Sequence, residues 1–337
     1  MLVGVIMAGV SGVASAIAIL LVIRHAAALR LVATPNERSS HVRPTPTGGG
    51  IGIVAGALVA SWPLLVAEPR SGGVLLAVGA CLALLGLWDD MRPVSPAIRL
   101  TLQLLVAGCG TLLLSALPPL SARALPPVFL VAGILLCVLW INLYNFMDGI
   151  DGLAGSEGVF LLLAPLALGL MRTPAALDNP YPWWVVAIAV ATLAFLLFNW
   201  QPARIFMGDA GSIFLGWAIA ASAAAELLAG WISPWEAAIL PACFLTDSLV
   251  TLARRAARGE AIWQAHRRHA YQHLSRRLGS HRRVVLGVIA IDLLWLLPLA
   301  VVTSLLPEAA APGLTILAYA PLVAVALLAG AGRPEHA

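Results

Sequence analysis

Five aspartates and two asparagines have the types and spacing of a phosphate-handling cation site: Asp89 and Asp90; Asn142, Asn145, Asp148 and Asp151; and Asp209. Adjacent carboxylates such as Asp89 and Asp90 repel each other and favour a bound cation. Asn142, Asn145 and Asp148 stand at i, i+3 and i+6, which is one side of a helix. Oxygen donors so placed suit magnesium, which takes carboxylate, amide oxygen and substrate phosphate. Gly149 and Gly152 beside them let the backbone come close to a ligand. In residues 208–212 an acid and small side chains precede an apolar run, so the segment reads as a helix start holding phosphate on its N–H groups, or as an aspartate N-cap.

A second cluster lies in residues 254–283, which carry nine arginines and four histidines. The i, i+3, i+7 spacing of His266, His269 and His273 predicts a helix with three imidazoles on one face, beside Arg267, Arg268 and Arg276. Two anionic substrates would need such positive charge. The competing reading is a basic belt lying on anionic lipid head groups.

The elements that must position these groups are transmembrane helices. The chain has 337 residues, 61% of them hydrophobic before its 30 glycines are counted, against about 45 to 50% with glycine included in soluble domains. With about 20 residues per span, apolar stretches fall at 2–23, 49–67, 72–88, 97–116, 127–146, 153–170, 183–199, 210–229, 235–253, 284–304 and 312–331. The expected fold is therefore all-α: a polytopic integral membrane protein of about 11 helices, forming one membrane-embedded domain over residues 1–337. The first span has no basic residue before it and Arg24 and Arg30 after it, which predicts an N-terminus outside. That orientation puts 17 of the 20 arginines and the C-terminal tail in the cytoplasm, as the positive-inside bias requires. All 20 basic residues are arginine, which excludes P-loop, Schiff-base and general-base lysines. The formal charge of +4 is explained by topology and lipid, and nucleic acid is not an expected partner. Cys81, Cys109, Cys137 and Cys243 lie in apolar stretches without a CxxC pair, so no disulfide or zinc framework follows.

At these residues the sequence resembles the polyprenyl-phosphate N-acetylhexosamine-1-phosphate transferases, the family of the bacterial undecaprenyl-phosphate N-acetylglucosamine-1-phosphate transferases and the phospho-N-acetylmuramoyl-pentapeptide translocase. The matching parts are Pro35 and Asn36 with Arg38, His41 and residues 44–49; Asp89 and Asp90; residues 142–152; Gly208 and Asp209 with Gly211 and Ser212; and Asp247 followed by residues 254–273. The resemblance implies a bacterial inner-membrane enzyme whose active site faces the cytoplasm. It would move a sugar 1-phosphate from a UDP-N-acetylhexosamine to undecaprenyl phosphate, release UMP and start a cell-envelope glycan. It also implies Mg2+, with Mn2+ as a substitute, on Asn145 and Asp209. Asp89 then deprotonates or orients the lipid phosphate with help from Asp90. Asn142, Asp148, Asp151, Thr47 and Arg267 contact substrate, and His266 and His269 face diphosphate or sugar. The lipid bilayer and a second copy of the chain complete the expected partners. Thr34, Ser39 and Pro93 depart from the family pattern. The HxxHxxxH spacing looks more like relatives that use a 6-deoxy-N-acetylhexosamine, so the donor is UDP-N-acetylglucosamine or such a 6-deoxy sugar.

The competing class is an ion-coupled secondary transporter, which also uses intramembrane acids and broken helices. It predicts acids near mid-span on pseudo-symmetric halves, whereas here only Asp292 lies well inside a helix, with Glu157 and Asp247 nearer helix ends. A non-catalytic membrane scaffold has no use for a clustered set of oxygen ligands.

Overall fold

Proline and glycine punctuation sets most helix boundaries. In the computed structural model, which describes residues 1–33, 44–117, 125–262, 264 and 266–334, α1 is Leu2–His25 and a two-stranded antiparallel pair follows, β1 Val32–Ala33 and β2 Thr45–Pro46. Next come α2 Gly50–Val59, α3 Trp62–Ala67, α4 Pro69–Met91, α5 Pro96–Ser115, α6 Pro127–Phe146, α7 Leu153–Arg172, α8 Pro180–Asn199 and α9 Asp209–Ala229. The chain ends with α10 Pro234–Ile239, α11 Ala242–Ala256, α12 Ala270–Leu278, α13 His281–Ile291, α14 Leu297–Leu305 and α15 Ala311–Ala329. Helices α4, α5, α6, α8 and α10 begin on proline, whose fixed φ suits the first turn and whose missing N–H is not needed there. Thr34, Pro35, Asn36, Arg38, Ser39, His41 and Arg123 lie outside the described residues.

Among the described residues nine helices are long and apolar enough to cross a membrane, with α13 and α14 forming one of them, His281–Leu305. The stretches expected as single spans at 49–67 and 235–253 each appear as two short helices instead. The first breaks at Ala60 and Ser61, just before Pro63 in the first turn of α3. The second breaks at Leu240 and Pro241, where proline has no N–H to continue the ladder. The penultimate span also contains a π turn, Asp292–Leu296, which no sequence pattern announced.

Helices α7, α8 and α9 form the inner layer, whereas α5 and α6 leave most of their apolar side chains outward, as lipid-facing helices must. Helix α9 packs on α4 and α6, which brings the N-terminus of α9 against the C-termini of both. A backbone lock holds residues 46–50 beside them. Phe206 N–H donates to Pro46 O at 2.9 Å, and Gly49 and Gly50 donate to Phe206 and Met207 carbonyls at 2.8 Å each. A Cβ on Gly50 would run into the Cα of Gly211, so this approach requires glycine at both positions. The C-terminal tail reaches the arginine-rich segment: Gly332 N–H donates to Arg268 O at 2.6 Å, and Arg254 donates to Ala331 O at 3.0 Å. The tail and the histidine segment therefore share one end of the bundle, and the N-terminus of α1 lies at the other.

Candidate active site

Asp89 and Asp90 occupy the last turn of α4 and perform different tasks. Asp89 Oδ1 accepts from Val94 N–H at 2.7 Å, and Oδ2 accepts from Arg99 Nη1 at 2.7 Å. The same Arg99 nitrogen lies 3.2 Å from Asp209 Oδ2, so one guanidinium on α5 bridges two acids 120 residues apart in sequence. Asp90 instead caps α9 from outside the helix, accepting Asp209 N–H at 2.8 Å and Ala210 N–H at 3.1 Å. Two otherwise orphaned donors of the first turn are thereby satisfied. The turn entering α9 depends on Gly208, with φ of 74°, where a Cβ would stand 2.7 Å from Asp90 Oδ2. This arrangement resolves the double reading of residues 208–212: the helix start is capped by Asp90, and the Asp209 side chain is released for other work.

That side chain meets the end of α6. Asn145 Nδ2 donates to Asp209 Oδ1 and to Ser212 Oγ, both at 2.8 Å. Both bonds use the amide nitrogen, so the amide oxygen is not spent on them. Asn142, one turn earlier, does not join the group. It donates to Gln103 Oε1 at 2.7 Å and to Val138 O at 2.8 Å, beneath the cluster. The shared helical side expected of Asn142, Asn145 and Asp148 thus ends with the helix at Phe146, and Asp148 lies in the turn that follows.

Asp148 is half-buried there, and burial, followed by Asp209, Asp90 and Asp151, pushes its carboxyl up to about 8. An unfolded chain would release this proton near pH 4. Between about pH 4 and 8 the folded chain therefore holds a proton that the unfolded chain has lost, and stability falls as pH rises through that window. Melting temperatures taken from pH 5 to 9 without divalent cation should fall for the wild type and stay more nearly level for Asp148→Asn. Parallel curves would contradict the assignment. Asp151 is tied down separately. Its Oδ2 accepts Ala203 N–H at 3.1 Å, and His281 Nδ1 lies 3.4 Å from Oδ1, which anchors the loop before α7 to the start of α13.

The histidines do not share a helix face. Helix α12 starts only after His269, so His266 precedes it and His273 lies inside it. His266 and His269 are nonetheless paired, their rings stacked 4.9 Å apart. His269 is buried, with Nδ1 3.2 Å from Asp247 Oδ1. Asp247 also accepts Ala270 N–H at 2.8 Å and Tyr271 N–H at 2.9 Å, so this one carboxylate orients the imidazole and caps α12. Tyr271 Oη donates to Phe146 O at 3.0 Å, tying the segment to the end of α6. Burial first, then His269, Arg255 and Arg268, pull the His266 imidazole down to about 3, so it is neutral at pH 7. His273 Nδ1 lies 3.3 Å from Arg276. Glu260 gathers Arg255, Arg258 and Arg268 at 2.5 to 3.1 Å, and Arg254, Arg255 and Arg258 also donate to backbone carbonyls. Arg267 is half-buried, and its carbonyl accepts from Arg276 at 3.1 Å. Thr47 is half-buried in the locked segment 46–50, its N–H donating to Leu31 O at 3.0 Å.

The donor set suits a hard cation shared with a ligand. Among the described residues no three His, Cys, Asp or Glu side chains form a metal cage by themselves. Asp209 and Asn145 supply one carboxylate and one amide. Magnesium is ordinarily held by one or two carboxylates, with waters and substrate phosphates completing its octahedron. Two side chains of this site do not stand out in the sequence. Arg99 sits in the first turn of α5, where topology alone explained a positive charge, and Asp247 was noted in a motif without a partner.

Similar proteins are known for most of the chain. Residues 73–226 match the profile of glycosyl transferase family 4. The decaprenyl-phosphate N-acetylglucosaminephosphotransferase of Mycobacterium tuberculosis is 30% identical over 305 residues, covering 77% of this chain and 73% of that protein. A phospho-N-acetylmuramoyl-pentapeptide-transferase of Synechococcus is 32% identical over 281 residues, covering 74% of each. A probable undecaprenyl-phosphate N-acetylglucosaminyl 1-phosphate transferase of Bacillus subtilis is 33% identical over 201 residues, covering 55% of this chain and 52% of its own. With acids, asparagine and histidines drawn to one end of a helical membrane bundle, and likeness of this extent to these proteins, the chain belongs to the glycosyl transferase family 4 of polyprenyl-phosphate sugar-phosphate transferases.

Proposed function

We propose that this chain transfers an N-acetylhexosamine 1-phosphate from a UDP-sugar to undecaprenyl phosphate at the cytoplasmic face of a bacterial inner membrane, as one membrane-embedded transferase domain. The observation that carries the reading is the convergence of Asp89, Asn145 and Asp209, with Arg99 between the acids, at one end of the spans. A lipid anion and a soluble nucleotide can meet only at such an end, and their charges need cations there. An oxygen of the lipid phosphate attacks the sugar-bearing phosphorus of the donor. The bond from that phosphorus to the bridging oxygen breaks, and UMP leaves with the electron pair, so no net proton transfer is required. Asn145 and Asp209 would hold Mg2+ or Mn2+, which supplies charge neutralisation on the diphosphate during in-line displacement.

Within this reading Asp89 acts as a positioning group. Both its oxygens already accept one bond each, and a lipid phosphate is ionised at neutral pH, so the carboxylate acts by fixing Arg99 rather than by taking a proton. Asp90 acts through the helix it caps. His266 and His269, locked beside the end of α6, face the diphosphate or sugar of the donor, and Asp148, Asp151, Thr47 and Arg267 line its approach. The donor is UDP-N-acetylglucosamine or a UDP-6-deoxy-N-acetylhexosamine. The test is purified protein in nanodiscs with undecaprenyl phosphate and a panel of UDP-N-acetylhexosamines. UMP release that requires both the lipid phosphate and a divalent cation is expected, and its absence with every donor would overturn the proposal.

A further inference from the structure

We propose that Arg99 is an internal counter-cation that ties Asp89 to Asp209 before a divalent cation binds, and gives up Asp209 when one does. The inference rests on the metal reading of Asp209 above. Arg99 Nη1 touches both carboxylates, at 2.7 Å to Asp89 and 3.2 Å to Asp209. All three side chains are largely withdrawn from water, with 19%, 9% and 28% of their surfaces exposed for Arg99, Asp89 and Asp209. Carboxylates this close repel, and in a site withdrawn from solvent the repulsion is little relieved by bulk ions. The backbone keeps both acids in place regardless, through Val94 N–H on Asp89 and the Asp90 cap under Asp209. A cation must therefore come to them, and the protein carries its own.

The two contacts are unequal, which sets the direction of exchange. The bond to Asp89 is short and charge-assisted, whereas the contact to Asp209 is longer and falls on Oδ2, while Asn145 holds Oδ1. A small divalent ion brings twice the charge to Asp209 and accepts the Asn145 amide oxygen as a second ligand. Arg99 can yield Asp209 and remain on Asp89. Metal affinity is then the difference between two cations competing for one carboxylate, by mass action.

The test is Mn2+ titration followed by electron paramagnetic resonance on the full chain in nanodiscs, for wild type, Arg99→Gln, Arg99→Lys and Asp209→Ala. Removing the competitor should tighten Asp209-dependent Mn2+ binding about three- to tenfold in Arg99→Gln, the size of a partly screened ion pair. The same variant should melt lower than wild type without metal and recover more of that loss when Mn2+ is added. Arg99→Lys, which keeps the charge on a shorter, more strongly hydrated head, should fall between. Equal Mn2+ affinity in wild type and both variants would overturn the counter-cation while leaving the metal site standing. No Mn2+ binding that depends on Asp209 in any protein would overturn the metal reading and this inference together. If Arg99→Gln does not fold, Arg99→Lys decides, with wild-type affinity counting against the proposal.

Discussion

Asp209→Ala is expected to lower UMP release by about a hundredfold to a thousandfold while the protein remains folded, because a lost oxygen donor at developing phosphate charge costs about 3 to 4 kcal/mol in the transition state. The folding half of this expectation follows from which atoms do the structural work. Helix α9 is seated by the backbone N–H groups of Asp209 and Ala210 on Asp90, and an alanine at position 209 keeps both bonds. Asn145→Ala removes the amide that faces Asp209 and Ser212 and should cost less, with a higher magnesium requirement as its signature. Asp90→Ala should fail in a different way. It strips the cap, worth about 1 kcal/mol, so Asp209 moves; Asp90→Asn, which retains one acceptor, should be milder. Initial rates across a magnesium titration, with melting curves beside them, separate these outcomes. An Asp209→Ala protein within tenfold of wild-type turnover at ordinary magnesium would remove Asp209 from the site.

The difference between Asp89 and Asp90 illustrates how far the sequence could be read. Paired acids at the foot of a span were visible from residue types alone, as were Asn145, Asp209 and the helices that bear them. Which acid faces a ligand and which caps a distant helix depends on the packing of α4 against α9, a contact about 120 residues long in sequence that no local pattern encodes. Arg99 was hidden for a related reason: an arginine at a helix end expected to face the cytoplasm is already accounted for by topology, so its contact with two acids carries no sequence signal. Apolar content located every membrane-length helix, and left out the polar α12. It could not foresee that 49–67 and 235–253 break, because a short interruption at Ser61 or Pro241 leaves the mean apolarity of a 20-residue window almost unchanged. The i, i+3, i+7 spacing of histidines misled in the opposite sense. Asp247 caps α12 at Ala270 and Tyr271, so the helix begins too late to contain His266, and ring stacking rather than helical phase brings His266 to His269.

The consequence for the histidines is a graded loss: about tenfold to a hundredfold for His269→Ala and His266→Ala, the range of a hydrogen bond to a charged group, and little for His273→Ala. His269 is held by Asp247, which accepts a hydrogen bond from Nδ1–H and leaves Nε2 for a ligand. Removing this ring should not unfold the segment, since Asp247 keeps the N–H groups of Ala270 and Tyr271. His266 has the complementary tautomer. Arg268 N–H lies 3.4 Å from its Nδ1, so the neutral ring carries its proton on Nε2 and offers a donor. His266→Gln, which also donates an N–H, should accordingly recover part of the rate that His266→Ala loses. His273 faces Arg276 within α12 and lies outside this pair. A basic belt on lipid would instead make the arginines decisive, and here Arg255, Arg258 and Arg268 share the one carboxylate of Glu260 while Arg254 donates to the C-terminal tail. Rates for the four variants with UDP-N-acetylglucosamine and with a UDP-6-deoxy-N-acetylhexosamine distinguish the two accounts. A loss that differs between donors places the pair at the sugar, and an equal loss places it at the diphosphate. Normal rates in His266→Ala and His269→Ala with both donors would take the pair out of catalysis.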